Sequence, residues 1–532
     1  MLSVKLLSPS HSEEFLKFHF CYQGSIPFKR ILQIIQEHGR RENSIISVVV
    51  ERPFCDSFVE DEIGITQKVL KEQYSWMPEG RVKDPDVIRF HFFKREIQRP
   101  KVLPSELEEF KDDYLGCCVL RPLSREGKRT VMYALIKPIR GENENVYIES
   151  TKEFSVKIQR EGEEVEFKVN GFPFIQQDGI VGCCATAVIQ MATWFLSAVP
   201  YKLTQMWKVL DKLRNKASFP IRGLKAKEIK KILSKVATVS TCAYPIQSIE
   251  EIDLKSIYRS PEKVIYRCIE SGFPVIVGFV TPGGAHTVIV IGHTFEPARW
   301  WKLAREHYYG AKETFHTSPD WVDNFIIHDD NFGPYLTLPV DYLRGLANLG
   351  EEEKCMIVFP IFPQRLKKEE LRGEDIESRV FNLLLALITQ REKLRNAFVA
   401  KVNMFSNKRV KEIFHKFVEH VIKREILLRT YLIDKETYLF SLDKRLGNES
   451  QLRNYYFNAD LPSLFWVTEI SIPEFYCYQN ECIGEILTNV KDNSENLIHI
   501  PGFILDLRED KLCLYELPGD PPLYPICREK LK

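Results

Sequence analysis

No CxxC pair occurs anywhere in the 532 residues, although the chain carries 13 cysteines. The vicinal pairs Cys117-Cys118 and Cys183-Cys184 are poorly suited to sharing one tetrahedral ion, so the sequence offers no zinc knuckle. An odd count spread over so long a chain lacks the density of a secreted disulfide scaffold, and fits reduced thiols in a cytoplasm. A secretory start is missing too. Met1-Leu2-Ser3-Val4-Lys5-Leu6-Leu7 has no basic opening, no uninterrupted apolar stretch and no small-residue cleavage site. The longest apolar runs, such as that from Phe381 to Ile388, fall far short of the roughly 18 to 20 residues that span a bilayer, so no membrane partner is expected. Nor is there charge of one sign: 74 Lys plus Arg against 73 Asp plus Glu leave +1. Such a balance provides no global field for nucleic acid, and no nucleic-acid partner is predicted. No internal repeat or low-complexity tract stands out.

What is present is an ordinary globular composition, 44% hydrophobic and 28% charged, over a length that implies two to four domains. The first 160 residues read as mixed α/β. A helical pattern covers Phe28 to His38, and β-branched or apolar runs cover 44–51, 87–93, 115–120, 130–136 and 146–148. A second regime, 165–365, opens with a strand at 165–169 and a Gly171-Phe172-Pro173 break. It continues with a cysteine-bearing helix, a helical pattern over 224–236, and strands at 275–280, 287–291, 325–328 and 356–361. From Lys367 to about Ile422 two amphipathic stretches predict an antiparallel helical pair, placed in a segment 366–430. Residues 431–532 return to short strands, at 464–472, 482–487 and 511–517.

Three local patterns can carry chemistry. In Gln176-Gln177-Asp178-Gly179-Ile180-Val181-Gly182-Cys183-Cys184-Ala185-Thr186-Ala187, a glycine-led turn delivers a thiol to a helix N-terminus. The positive end of the helix dipole there favours thiolate. Read alone, the same cysteine is equally a small buried residue capping a core helix. In Gly283-Gly284-Ala285-His286, followed by the apolar strand Thr287–Ile291 and Gly292, flexible glycines place a histidine at a strand mouth, where one ring nitrogen can face a cleft. His293, beyond the far end of that strand, is the weaker candidate. In Phe325-Ile326-Ile327-His328-Asp329-Asp330-Asn331-Phe332-Gly333, an apolar strand ends in carboxylates that can hold an imidazole tautomer, or simply form an Asx turn.

Taken together, the order Cys, His, Asp on a helix start, a strand start and a strand end resembles papain-like cysteine peptidases. The closest resemblance is to the bacterial double-glycine leader (bacteriocin-processing) peptidases. Their motifs run Gln, five residues, Cys-Gly-Pro-Thr/Ala; then His, an apolar strand and Gly; then Asp-Pro and a glycine turn. Here Gln177 stands six positions before Cys183, Gly292 six after His286, and Asp329 begins Asp-Asp-Asn-Phe-Gly. Cys184 occupies the place of the usual glycine and Asp330 that of the usual proline. The resemblance covers only the region from about 165 to 365.

It implies an α+β fold, a papain-like helix-plus-antiparallel-sheet domain flanked by the N-terminal α/β-containing domain and the C-terminal helical then β-rich region. It also implies a hydrolase acting on a peptide or isopeptide bond, with Cys183 as nucleophile, His286 as base, Asp329 as orienting carboxylate and Gln177 as oxyanion donor. Asp330 and Asn331 are the fallback orienters. A papain-type match of Gly-Cys-Cys-Ala to Gly-Ser-Cys-Trp instead selects Cys184, seven positions after Gln177. The implied partner is a polypeptide substrate, with room for a regulatory protein on the flanking domains; no cofactor and no metal are called for. Two other functions use the same residues: a transglutaminase-like acyltransferase, in which an amine resolves the thioester, and a non-catalytic binding module.

Overall fold

The computed structural model describes residues 2–7, 25–73, 87–121, 130–139, 146–214, 223–239, 242–244, 261–281, 284–295, 316–343, 356–363, 376–390, 392–446, 451–479, 481–490, 495–500, 503–506, 513–516 and 524–525. The chain forms two compact units. One comprises Met1–Ile257, Pro274–Gly292 and Phe325–Arg365; the other comprises Tyr258–Phe273, His293–Asn324 and Leu366–Lys532.

The first unit opens with β1 (Leu2–Leu7), β2 (Ile46–Glu51), β3 (Ile88–Phe93), β4 (Lys101–Val102), β5 (Tyr114–Leu120) and β6 (Val131–Ile136). After the two-residue β7 (Val146–Tyr147) come β8 (Lys152–Arg160) and β9 (Glu163–Ile175). They pair antiparallel in the order β4-β1-β2-β3-β5-β6-β9-β8. β2, β3, β5 and β6 are buried along their whole length, as near-continuous apolar runs require. β8 instead alternates, with Phe154, Val156 and Ile158 inward. The helix Ile26–Glu42 follows its sequence signals closely. Ser25 accepts from Phe28 N–H, proline occupies the first turn, Phe28, Ile31, Leu32 and Ile35 line the buried face, and Asn43 ends it in the left-handed region at φ 48°.

β9 overturns the expected boundary between 160 and 165. Its first part pairs with β8 across a Glu161-Gly162 hairpin turn, and Phe172–Ile175 pairs with β6. The supposed linker is a two-residue turn with positive φ at both positions. The N-terminal sheet therefore runs directly into the cysteine-bearing helix, and 1–160 and 165–257 share one unit.

That helix, Cys184–Ser197, packs against β9 and against two strands of a second sheet. The second sheet takes β10 (Ala237–Val239), β11 (Cys242–Tyr244), β12 (Val275–Thr281), β13 (Gly284–Thr294), β15 (Asn324–Asp329), β16 (Gly333–Pro339) and β17 (Met356–Pro363); β14 (His316–Thr317) belongs to the other unit. Its order is β10-β17-β12-β13-β15-β16, with β11 on β17 and β7 on β13, and the helix rests on β12 and β17. The helical pattern expected over 224–236 forms only at Ala226–Leu233.

In the second unit, the expected helical pair is three helices, Ile376–Thr389, Glu392–Met404 and Lys408–Lys423. The third starts afresh because Asn407 Oδ1 accepts from Arg409 N–H at 3.0 Å and Val410 N–H at 3.4 Å. Residues 367–375 of that prediction lie outside the described residues. The following sheet joins β14, β18 (Leu427–Asp434), β19 (Leu464–Ser471), β21 (Gly484–Asn489), β22 (Glu495–Ile500), β23 (Phe503–Asp506) and β24 (Cys513–Glu516) in that order. β20 (Glu481–Cys482) pairs with β25 (Tyr524–Pro525). Of the strand expected at 511–517, only β24 falls among the described residues. His293 is buried here, Nε2 lying 2.6 Å from Glu270 Oε1, and Glu270 in turn takes Arg429. Among the described residues no helix is long and apolar enough to cross a membrane.

Candidate active site

The site is built within the first unit, beginning at the turn after β9. Asp178 is buried and its Oδ1 accepts three backbone N–H groups, from Ile180 (3.0 Å), Val181 (2.9 Å) and Gly182 (3.0 Å). One carboxylate oxygen thereby folds residues 178–182, with Gly179 at φ 70° where a side chain would be strained. The helix Ser57–Gln73 supports this turn from beneath. Thr66 Oγ1 lies 3.4 Å from Asp178 Oδ2, and Glu62 Oε1 takes the Gln190 amide at 2.8 Å. Glu62 itself is fully buried, and burial pushes its carboxyl up to about 7 despite the nearby Arg121.

The two cysteines at the helix start have different tasks. Cys183 is the N-cap residue, in extended backbone at φ −126°, ψ 171°. Its N–H donates to Thr186 Oγ1 at 3.0 Å and its carbonyl accepts the Thr186 hydroxyl at 2.6 Å. Burial pushes the Cys183 thiol up, opposed by the backbone N–H of Thr186 and helped by negative neighbours at Cys184 and Asp330. Cys184 is the first helical residue, and its side chain is among the neighbours that raise the proton affinity of the His286 ring. Of the two cysteines, Cys184 is the one that acts on the His286 ring, whereas Cys183, the expected nucleophile, serves as the N-cap residue. Successive positions on a helix project about 100° apart, so the two thiols point in different directions.

His286 stands at the open end of β13, whose residues Val288–Ile291 are wholly buried. It pairs in register with Phe279 of β12, whose ring meets it edge-on at 5.7 Å. Asp329, at the end of the neighbouring β15, places Oδ2 2.9 Å from His286 Nε2. The carboxylate therefore holds Nε2, rather than the Nδ1 that the triad logic assumes. The other oxygen of Asp329 accepts Asn331 N–H at 2.9 Å, which fixes its direction. Burial opposes a charged imidazole, but the hydrogen bonds from Asp329 and Cys184, with the charge of Asp330, outweigh it and push His286 up to about 10.

Gln177 reaches the same turn. Its Nε2 donates to Asn331 Oδ1 at 3.0 Å, which leaves the second N–H of the amide for another acceptor. Asp330 is fully buried, and neither of its carboxylate oxygens has a hydrogen-bond partner among the described residues. Burial pushes it up to about 7, with the His286 charge opposing. His328, two residues earlier, is structural. Its ring sits edge-on to Phe172, Phe174 and Tyr335, and burial lowers it to about 3.

Sequence reasoning brought Cys184, His286, Asp329 and Gln177 into view but missed the roles of Asp178 and Phe279. Asp178-Gly179 carries a recognisable Asx-turn signal; Phe279 carries none, because its place beside His286 depends on strand register. His286, Asp329 and Asp330 are the group of described residues able to hold a cation, their ligating atoms all lying within 4.8 Å of one another. No family model, no curated protein and no solved structure matches this chain.

Proposed function

We propose that this chain is a cysteine hydrolase of papain-like design, cleaving a peptide or isopeptide bond, with Cys184 as nucleophile, His286 as acid and base, and Asp329 as the carboxylate that orients the ring. The observation that carries this reading is the His286 ring held 2.9 Å from the Asp329 carboxylate on adjacent strands, with Cys184 at a helix start among the neighbours that raise the ring's proton affinity. A charged imidazole beside the thiol supplies the positive partner that a nucleophilic thiolate needs. In the first step sulfur attacks the carbonyl carbon, and the backbone N–H groups at the helix start, with the second N–H of Gln177, favour the oxyanion. The imidazolium then gives its Nδ1 proton to the departing amine, which leaves a thioester. Water attacks that thioester, its proton passing to Nδ1, and the carboxylic acid departs as the thiol–imidazole pair is restored.

The test is labelling of the metal-free protein by a thiol-directed acyl or vinyl electrophile, located by mass spectrometry. Labelling is expected at Cys184, is expected to vanish in Cys184→Ala and His286→Ala, and is expected to persist in Cys183→Ala at reduced thermal stability. Label on Cys183 that survives Cys184→Ala would return the nucleophile to Cys183. Absence of selective labelling at either cysteine would remove the hydrolase reading.

A further inference from the structure

The eight-stranded sheet of the first unit ends on β8, whose only strand partner among the described residues is β9. The two-residue turn Glu161-Gly162 is closed by the Arg160–Glu163 pair, so Arg160 and every second residue before it bond to β9. Glu153, Ser155 and Lys157 therefore direct their N–H and C=O groups to the free edge. The Lys157 carbonyl agrees, for it accepts Arg89 Nη2 at 2.5 Å from β3, a strand that β8 does not pair with. The charges of Glu153 and Lys157 are taken up within the hairpin by Lys168 at 2.8 Å and Glu164 at 2.6 Å. An unpaired edge of this kind, neutralised and free of proline, is a template for another strand.

That edge borders a cavity of about 770 Å³, within the range of ligand sites. Its lining follows β8 from Glu153 to Lys157, takes in Pro53 to Phe58, and includes an aromatic nest around Trp194. The rings of Tyr133, Phe58 and Phe154 stand 5.1, 6.2 and 6.3 Å from that of Trp194. Arg89 lines the same space, nearly buried and stacked 3.9 Å from the Phe54 ring. Its Nε and Nη2 hold Glu51 and Lys157, whereas Nη1 makes no hydrogen bond among the described residues. A buried donor left open beside a cavity calls for an acceptor, and a peptide carbonyl supplies one. Trp194 lies ten residues beyond Cys184 on the same helix, about 15 Å along its axis, so this cavity is separate from the cysteine site.

We propose that the cavity docks an extended polypeptide segment with bulky apolar side chains, which adds as a strand to the free edge of β8. Alternate side chains of the segment enter the nest around Trp194, its backbone pairs with Glu153 and Ser155, and Arg89 Nη1 takes a carbonyl at the closed end. The site uses neither Cys184 nor His286, so it stands or falls independently of the hydrolase reading.

The test mixes the full chain with end-capped, fluorescein-labelled hexapeptides in which threonine alternates with one varied residue, and reads fluorescence polarisation. Binding is expected where the varied residue is phenylalanine, tyrosine or leucine, about tenfold or more tighter than where it is glycine or aspartate. N-methylation of alternate backbone amides, in one of the two possible phases, is expected to abolish it with every side chain kept. Ser155→Pro removes an edge N–H that the β8–β9 ladder does not use, so the chain should fold by circular dichroism and bind about tenfold more weakly or worse. Val199→Glu, at a lining position 61% exposed, is the second variant and is expected to weaken binding without touching the strand. Failure of every peptide to bind, indifference to the varied residue, binding that survives methylation in both phases, or unchanged affinity in both variants would overturn the proposal. A concentration-dependent dimer that Ser155→Pro abolishes, with no peptide bound, would assign the edge to a second copy of the chain instead.

Discussion

Replacing Asp178 with alanine tests whether the cysteine turn is built from its own sequence. Asp178 Oδ1 accepts the N–H groups of Ile180, Val181 and Gly182 at 2.9 to 3.0 Å. Val181 is wholly buried, so its N–H cannot turn to water and bears most of a full desolvation penalty, roughly 1 to 3 kcal/mol. Ile180 and Gly182 are half-buried and recover part of their loss, at roughly 0.5 to 1 kcal/mol each. Relief of repulsion with Glu62 offsets a fraction. The net expectation is about 3 kcal/mol, a large share of the roughly 5 to 15 kcal/mol that holds a domain folded. Asp178→Asn keeps an oxygen for the same three donors and is expected to cost roughly 1 kcal/mol. Denaturant unfolding measures both, and the rate of electrophile labelling reports whether Cys184 stays aimed at His286. If Asp178→Ala unfolds within about 0.5 kcal/mol of the unaltered protein and labels at the same rate, the turn is held by something other than this carboxylate.

The isolated stretch 165–365 is expected to be insoluble or unfolded by circular dichroism, because it lacks β6 and β8 for β9 and Glu62 for Gln190; a cooperative melt from that fragment would contradict the unit assigned here. Tyr335→Phe removes a hydroxyl that donates to Ile136 O at 2.8 Å and accepts Phe172 N–H at 3.1 Å. It is expected to lower stability by roughly 2 kcal/mol, and no change in melting temperature would refute the buried pairing. His91 is held down to about 4, first by burial and then by the charge of Arg89. The unfolded chain therefore takes the proton first as pH falls. Stability is full above about 6.5, declines toward pH 4, and loses roughly 3 kcal/mol by the lower end. An NMR titration of the His91 ring with a midpoint near 6.5 in the folded protein would rule this out.

Much of the site was legible because its signals are local. Gly182-Cys183-Cys184 before an amphipathic run marks a helix start, Gly284 before His286 marks a strand mouth, and Asp329 before Asn331 and Gly333 marks a strand end. The choice between the two cysteines was not legible in the same way. Gln177 stands six positions before Cys183 and seven before Cys184, and sequence distance says nothing of which residue becomes the N-cap and which the first residue of the helix. The boundary at 160 failed for a related reason. Glu161-Gly162 reads as a break, and only the register of Glu163–Ile175 on two partners turns it into a hairpin inside one sheet.

By itself the sequence determined what is set within a few residues: the cap at Ser25, the left-handed turn at Gly179, the apolar strands, and the chemical groups available for catalysis. Tertiary structure alone decided what depends on residues far apart in the chain. It gave Nε2 of His286 rather than Nδ1 to Asp329, set Phe279 against the ring, and left Asp330 buried without a donor among the described residues. Hydrogen bonds and burial across 40 to 150 positions of separation are properties of strand order and register, and no local pattern encodes them.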